Sequence, residues 1–363
     1  MFDTCTHRCG YCWLAESGRV LDFEQLEPFR SVQWIEKIAE FFNSRTDAEH
    51  KWLVQLTGGE PLIAPNLDLL CRTLFRVGNR VSFYTALMVG ENHPGFRLLR
   101  ESSPEEIDYI MASFHPEAEL HEQKYFDKIR MLKNAGHKVF LRFVGHPARL
   151  HRLDELSAKC HEMDVCFYPT TLLSNNYPGS YSPDERTKLT KHFSSLSQHI
   201  QLAGGIDTTN VTCHAGSKLV SIDLRTGNIT PCITVEGPSL GNIFENRLEL
   251  ADGPGKCPSR GIDCICDVHF QQDIVIGAAD NACFETQKKG FVSPVPELSD
   301  RLAGMPQAGI NFYKARAVGI GNVADDSRLF YPIEEVRRAY RKRRRGLRLR
   351  SFLRRLRLST RRP

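Results

Sequence analysis

Residues 5–12 read Cys-Thr-His-Arg-Cys-Gly-Tyr-Cys, so that Cys5, Cys9 and Cys12 form a C-x3-C-x2-C motif. Three thiolates on one short loop suit three irons of a cubane [4Fe–4S] cluster and leave the fourth iron without a protein ligand. A structural zinc site needs a fourth ligand, and His7 lies too close to the three cysteines in sequence for easy tetrahedral closure. The spacing therefore favours an iron–sulfur cluster and keeps zinc as the alternative.

A second motif, Leu-Thr-Gly-Gly-Glu-Pro at residues 56–61, directly follows an apolar run that predicts a β-strand. The glycines Gly58 and Gly59 allow the backbone to approach a ligand closely, and Glu60 can accept a hydrogen bond from an ammonium group. The same letters, ending in Pro61, form a simple turn in most sequences. Their position after an expected strand makes a ligand-binding loop the favoured interpretation.

Apolar periodicity predicts alternating strands and helices up to about residue 175. The predicted helices cover residues 32–43, 67–78, 120–134 and 153–162, and the predicted strands cover residues 52–57, 81–86, 109–114, 139–144 and 165–168. The strands are short and continuously apolar, as in a parallel sheet that helices cover. A capping box at Ser182 predicts one further helix that extends to about Ile200.

Together these features resemble the radical S-adenosylmethionine (radical SAM) enzymes over about residues 2–200. That family has the three-cysteine loop after strand one, an aromatic residue such as Tyr11 before the last cysteine, and Gly-Gly-Glu-Pro after strand two. The resemblance implies an α/β fold, a partial (β/α)6 barrel. Only four residues precede Cys5, so we expect the first strand to be truncated or the true start to lie upstream.

The resemblance also implies a chemistry. S-adenosylmethionine would bind the open iron through its amino and carboxylate groups, with Gly58, Gly59, Glu60 and Pro61 at that end. The ends of strands four and five often touch this cofactor in the family, and here they carry Ser113 and Arg142. An electron from a reductant such as flavodoxin or ferredoxin would release a 5′-deoxyadenosyl radical, which removes a hydrogen atom from the substrate.

Six further cysteines follow in a region rich in glycine and proline, namely Cys213, Cys232, Cys257, Cys264, Cys266 and Cys283. Between the first two, residues 218–224 and 229–233 predict a β-hairpin. The pattern resembles the SPASM or Twitch extension, which binds auxiliary [4Fe–4S] clusters. Its later spacing departs from that family, and six thiols are too few for two closed clusters. We therefore expect one auxiliary cluster, held by Cys213 and Cys232 with two of the other four, and keep zinc as the alternative.

The three remaining cysteines, Cys71, Cys160 and Cys166, are expected to be buried as small apolar side chains. Residues 1–13 lack the apolar core of a secretion signal, and no apolar run reaches the roughly 18–20 residues that cross a bilayer. We therefore expect a cytoplasmic protein. Of the 48 Lys and Arg residues 14 lie in residues 337–363, which leaves 34 against 43 acidic residues in the remainder.

The last segment is thus a basic tail on an acidic body. Leu349, Phe352, Leu353 and Leu356 have helical spacing among arginines, as in a helix that contacts an anionic membrane surface, a partner protein or nucleic acid. Its charge density equally suits a disordered extension.

We expect a radical SAM partial barrel over residues 1–200, a SPASM/Twitch-like module over 205–285, an uncharacterised segment over 286–336 and the tail over 337–363. The expected function is hydrogen-atom abstraction from a peptide, a protein or a small metabolite. The alternatives are a radical SAM enzyme that modifies RNA and a non-catalytic, zinc-stabilised binding protein that uses the tail.

Overall fold

A computed structural model of the chain describes residues 4–5, 23–173, 177–233, 238–258, 264–278 and 280–295. Its centre is a five-stranded parallel sheet in the order β1-β2-β3-β4-β5. The strands are β1 (Leu53–Leu56), β2 (Arg80–Thr85), β3 (Ile107–Ser113), β4 (Val139–Val144) and β5 (Cys166–Thr170). All five predicted strands are confirmed, and the parallel order confirms the α/β class. Tyr11, Cys9, Cys12 and the basic tail lie outside the described residues.

Ten α-helices lie in the described part of the chain. They are α1 (Val32–Asn43), α2 (Leu67–Phe75), α3 (Pro94–Glu101), α4 (Pro116–Glu119), α5 (Glu122–Asn134), α6 (Leu153–Glu162), α7 (Pro183–Thr190), α8 (Leu196–Ala203), α9 (Asp267–Gln271) and α10 (Asn281–Gln287). The four helices predicted before residue 175 are confirmed, two of them with the predicted bounds. Helix α3 was not predicted, although Pro94 at its first turn is a typical start signal.

The single helix predicted from Ser182 to about Ile200 is wrong. The capping box at Ser182 is present and starts α7, but the helix ends at Thr190. A second capping box, in which the Ser195 hydroxyl pairs with Gln198, starts α8. The serines near residue 195 compete for backbone hydrogen bonds and thereby favour a new helix start over continuation.

The two faces of the sheet differ in composition. Alternate side chains such as Phe83, Ile110 and Leu141 belong to the main apolar core, together with residues of the covering helices; we call this the apolar face. The opposite side, the tyrosine face, consists of Tyr84, Tyr109, Met111, Phe140, Cys166 and Tyr168. Phe284 of α10 covers it, with its ring 5.3 Å from the Phe140 ring and 5.1 Å from the Tyr109 ring.

The region after Gly204 forms two small antiparallel sheets. One contains β7 (Ser221–Ile222), β8 (Asn228–Thr230), β9 (Gly241–Asn242) and β10 (Arg247–Leu248), and the other pairs β6 (Thr212–Cys213) with β11 (Gly255–Lys256). The predicted hairpin is thus confirmed as β7 and β8, with shorter strands. Its turn requires Gly227, which has a φ of 75° and would bring a Cβ atom within 2.4 Å of Phe244.

This region packs directly on the first helix. The rings of Trp34 in α1 and Phe244 are 3.9 Å apart, and the Arg45 guanidinium donates to the side chain and backbone oxygens of Asn246. The main apolar core includes Leu224 and Ile229 of the hairpin. The hairpin and the sheet thus share one core, and the predicted domain boundary at residues 200–205 remains a prediction. In the described ranges, no helix is both long and apolar enough to cross a membrane.

Candidate active site and cysteine-rich module

The Gly-Gly-Glu-Pro loop begins immediately after β1. Gly58 has a φ of 125°, a backbone conformation that residues with a Cβ atom rarely adopt. The loop then enters a short 3-10 helix, Pro61–Ile63, in which Pro61 and Leu62 are buried. The sequence therefore turns the chain sharply at the carboxyl end of the sheet, where parallel α/β folds usually bind ligands.

The three-cysteine motif begins beside this loop. The backbone oxygen of Thr4 accepts a hydrogen bond of 3.0 Å from the backbone N–H of Glu60. Thr4 is fully buried, and Cys5, the first predicted cluster ligand, follows it and is half-buried. Thr4 and Glu60 are 56 positions apart in sequence, and their hydrogen bond brings the starts of the two motifs together. The positions of Cys9, Cys12 and Tyr11 stay predictions.

The Glu60 side chain is fully buried and holds the loop together. One carboxylate oxygen accepts from the Leu62 N–H at 3.1 Å and from the Thr85 hydroxyl at 2.7 Å, and the other accepts from the Ala86 N–H at 2.8 Å. Burial raises the pKa of this carboxyl, although the three hydrogen bonds oppose the increase. Glu60 therefore ties the loop to the end of β2, and its predicted contact with an ammonium group stays a prediction.

Ser113 and Arg142 lie side by side at the carboxyl end of the sheet. They are register partners on β3 and β4, and Arg142 is in turn the partner of Tyr168 on β5. The Arg142 guanidinium lies 5.3 Å from the centre of the Tyr84 ring and 3.6 Å from the Asp267 carboxylate. Asp267 directly follows Cys266, so Arg142 connects the sheet with the cysteine-rich module. Contact of either residue with a cofactor stays a prediction.

Backbone pairing brings distant cysteines of the module together. The strand β6 carries Cys213 and pairs with β11, which ends just before Cys257. The backbone of Cys264 exchanges two hydrogen bonds with Ile206, of 2.8 and 2.9 Å. Residues 206–213 therefore form a common support for three of the six predicted auxiliary ligands.

The thiols in this module influence one another. A hydrogen bond with Cys257 raises the pKa of Cys213, and burial raises it further. Burial raises the pKa of Cys264, and the neighbouring Cys266, Cys232 and Cys257 raise it further. Burial also raises the pKa of Cys266 to about 12. Five of the six predicted ligands therefore lie near one another, and as thiolates they would need a compensating cation.

The imidazole of His269 lies within this group and was not identified from the sequence. Its Nε2 is 3.6 Å from the sulfur of Cys232, and its Nδ1 is 3.4 Å from the sulfur of Cys264. The side chain is buried, and burial lowers the pKa of His269 to about 4. Its position five residues after Cys264 on a short helix was the only signal in the sequence.

Cys283 lies elsewhere. It belongs to α10, and its thiol donates a hydrogen bond of 2.8 Å to the backbone oxygen of Ser194. Burial raises the pKa of Cys166 on the tyrosine face, and the nearby Cys160 and Cys283 raise it further. Cys71, Cys160 and Cys166 are fully buried, as predicted.

The donor set of this group, thiols with one imidazole, suits an iron–sulfur cluster and is also one that zinc accepts. Among residues with described positions, no three His, Cys, Asp or Glu side chains are close enough to hold one metal ion. Zinc draws four donors to a single ion, whereas each ligand of a cubane cluster binds a different iron.

Neither a protein-family model nor a curated protein sequence matches the chain. Its structure matches the radical SAM enzymes SuiB and anSMEcpe, which are SPASM-domain enzymes. Streptococcus suis SuiB, bound to S-adenosylmethionine, aligns over 67% of this chain and 62% of its own, at 17% identity and a TM-score of 0.44. The structure of anSMEcpe with bound AdoMet and a peptide aligns over 67% of this chain and 76% of its own, at 14% identity and a TM-score of 0.46.

TYW1 with a lysine–pyruvate adduct bound is more distant, with 12% identity and a TM-score of 0.30 over 55% of this chain and 68% of its own. The match covers 62% of SuiB, so this chain spans less than two thirds of the length of SuiB.

Proposed function

We propose that the chain is a radical SAM enzyme, with a partial (β/α)6 barrel, that reductively cleaves S-adenosylmethionine and removes a hydrogen atom from its substrate. The observation that supports this proposal most strongly is the hydrogen bond between Thr4 and Glu60. A cluster-binding loop and a cofactor-binding loop must be adjacent if the cofactor is to bind the cluster, and this contact supports the proposal because it brings the start of the first motif beside the second.

In this proposal Cys5, Cys9 and Cys12 hold three irons of a [4Fe–4S] cluster. The cluster and S-adenosylmethionine, when bound, supply the radical chemistry. The chain's own share is positioning and the exclusion of water. Gly58 turns the backbone sharply after β1, and the buried carboxylate of Glu60 fixes that turn on β2.

The cysteine-rich module binds one auxiliary [4Fe–4S] cluster in this proposal. Its ligands come from the five neighbouring thiols, with Cys213 and Cys232 among them. The Asp267 carboxylate follows Cys266 and lies opposite Arg142, so that the module contacts the sheet at this residue. The proposed substrate is a peptide, a protein or a small metabolite, and the proposed electron donor is a flavodoxin or ferredoxin.

The first test removes the N-terminal cluster. The triple variant Cys5→Ala, Cys9→Ala and Cys12→Ala should lose about four irons per chain and form no 5′-deoxyadenosine from S-adenosylmethionine and a strong reductant. Cys71→Ala is the matched control, because Cys71 is a buried cysteine of α2 that belongs to neither predicted ligand set. Unchanged 5′-deoxyadenosine formation in the triple variant, or zinc without iron in the wild type, contradicts the proposal.

A second test separates the two clusters. The double variant Cys213→Ala and Cys232→Ala should lose about half of the iron and keep reductive cleavage of S-adenosylmethionine. Addition of S-adenosylmethionine should still change the electron paramagnetic resonance spectrum, because the remaining cluster has an open iron. Full retention of iron in this variant would exclude an auxiliary cluster in the module.

A further inference from the structure

We infer that His269 is a positioning residue of the auxiliary site: its imidazole donates a hydrogen bond to a ligand sulfur and thereby raises the reduction potential of the cluster. This inference rests on the auxiliary cluster proposed above. It concerns a residue that lies outside the cysteine pattern and that the cluster assignment does not itself require.

The position of the ring supports the inference. The two nitrogens of His269 face two different cysteines, Cys232 at 3.6 Å and Cys264 at 3.4 Å. These distances are normal for a hydrogen bond in which sulfur is the acceptor. A neutral imidazole donates from one nitrogen only, and a cysteine sulfur is the partner in either tautomer.

The backbone holds the ring in place on both sides. The N–H of His269 donates to the oxygen of Cys266 at 3.1 Å, and its own oxygen accepts from Ile274 at 2.8 Å. The adjacent Phe270 is fully buried in the small core that also contains Cys264. The ring therefore keeps its orientation towards the sulfurs because the helix α9 and the following turn are anchored.

A hydrogen bond to a ligand sulfur has a defined electronic effect. It withdraws electron density from the thiolate, which stabilises the reduced and more negative form of a cluster. Burial strengthens this effect because few other dipoles screen the charge. Loss of the N–H group should therefore make the cluster harder to reduce.

The variant His269→Phe removes both nitrogens and retains a planar ring, whereas His269→Gln retains an N–H donor. Both are made in the background Cys5→Ala, Cys9→Ala and Cys12→Ala, in which only the auxiliary cluster contributes a signal. We expect the equilibrium constant for reduction to fall at least tenfold in His269→Phe, which is 59 mV for a one-electron couple. His269→Gln should restore most of this loss at unchanged iron content.

The matched control is His199→Phe. His199 is also a buried histidine of this part of the chain, but its ring packs on Phe193 at 5.1 Å. Its replacement should leave the potential unchanged. An unchanged potential in His269→Phe at full iron content, or equal shifts in His269→Phe and His199→Phe, overturns the inference.

Pulsed electron paramagnetic resonance of the reduced cluster, with ¹⁵N-labelled histidine, keeps the inference testable if His269→Phe fails to fold. A hydrogen-bonded imidazole gives a weak nitrogen coupling, whereas an iron ligand gives a strong one. Strong coupling or none overturns the inference. Absence of any cluster in the triple-alanine background instead contradicts the proposed auxiliary cluster, so the two failures are distinguishable.

Discussion

The two faces of the central sheet differ in chemistry. On the apolar face, Phe83, Ile110 and Leu141 contribute only carbon atoms to a core that the helices share. On the tyrosine face, the Tyr109 hydroxyl accepts a hydrogen bond of 2.8 Å from Gln55, and the Tyr168 hydroxyl pairs with Ser197 and Gln271. Burial raises the pKa of Tyr168, which therefore stays neutral and can donate.

Consecutive residues of one strand show the difference most directly. Leu141 of β4 is fully buried in the apolar core, and Arg142 points to the opposite face, towards Tyr84 and Asp267. Hydrophobic burial stabilises a fold without regard to direction, whereas a guanidinium next to a carboxylate is useful for binding polar groups. The apolar face should therefore determine stability, and the tyrosine face should determine activity.

The largest expected effect on stability comes from Leu141→Ala. Removal of a fully buried leucine side chain leaves a cavity in the core and typically costs about 2–5 kcal/mol. Denaturation in urea should show this loss in the free energy of unfolding. The folded fraction should still form 5′-deoxyadenosine at close to the normal rate. A change of less than about 1 kcal/mol would contradict the assignment of this face to stability.

Arg142→Met should have the opposite profile. The variant leaves the buried Asp267 carboxylate without its cationic neighbour, which should cost about 1–3 kcal/mol. Formation of 5′-deoxyadenosine should fall at least tenfold. Addition of Asp267→Asn should recover part of the stability and none of the activity. Full activity in Arg142→Met would exclude Arg142 from the site.

Local patterns explain how much of this structure could be predicted. The strands β1–β5 are continuous apolar runs between turns, so their positions were evident from the sequence. The two glycines at residues 58 and 59 likewise indicated a sharp turn, and Gly58 has a positive φ. The place of His269 depends instead on pairings between residues 206–214 and residues 264–275, which are far apart in sequence. The separate position of Cys283 likewise depends on packing of α10 against the tyrosine face.

Glu60→Gln tests the loop after β1, which the Glu60 carboxylate holds to the end of β2. The amide nitrogen of glutamine would face a backbone N–H at Leu62 or Ala86, so one donor should lose its acceptor, at a cost of about 1–2 kcal/mol. Iron content should stay unchanged and the affinity for S-adenosylmethionine should fall. Loss of iron would show that Glu60 acts on the cluster loop through its contact with Thr4.

The same variant should change the dependence of stability on pH. Burial raises the pKa of Glu60 above its ordinary value of 4.5, so the folded state binds this proton more tightly than the unfolded state. The contribution of this protonation to the free energy of unfolding is fully present below pH 4.5. It is lost as the pH rises through the folded-state pKa of Glu60. Glutamine cannot titrate, and urea denaturation over this range should show a smaller decrease in the variant than in the wild type.

The smallest expected effect is that of Cys283→Ala. The residue lies on α10, which covers the tyrosine face through Phe284, and its thiol donates to Ser194. A hydrogen bond from a thiol to a carbonyl is weak, so its loss should change the free energy of unfolding by no more than about 1 kcal/mol. Iron content and the spectrum of the auxiliary cluster should both equal those of the wild type. Loss of about half of the iron would instead make Cys283 an auxiliary ligand, and α10 would then have to move away from the tyrosine face when the cluster binds.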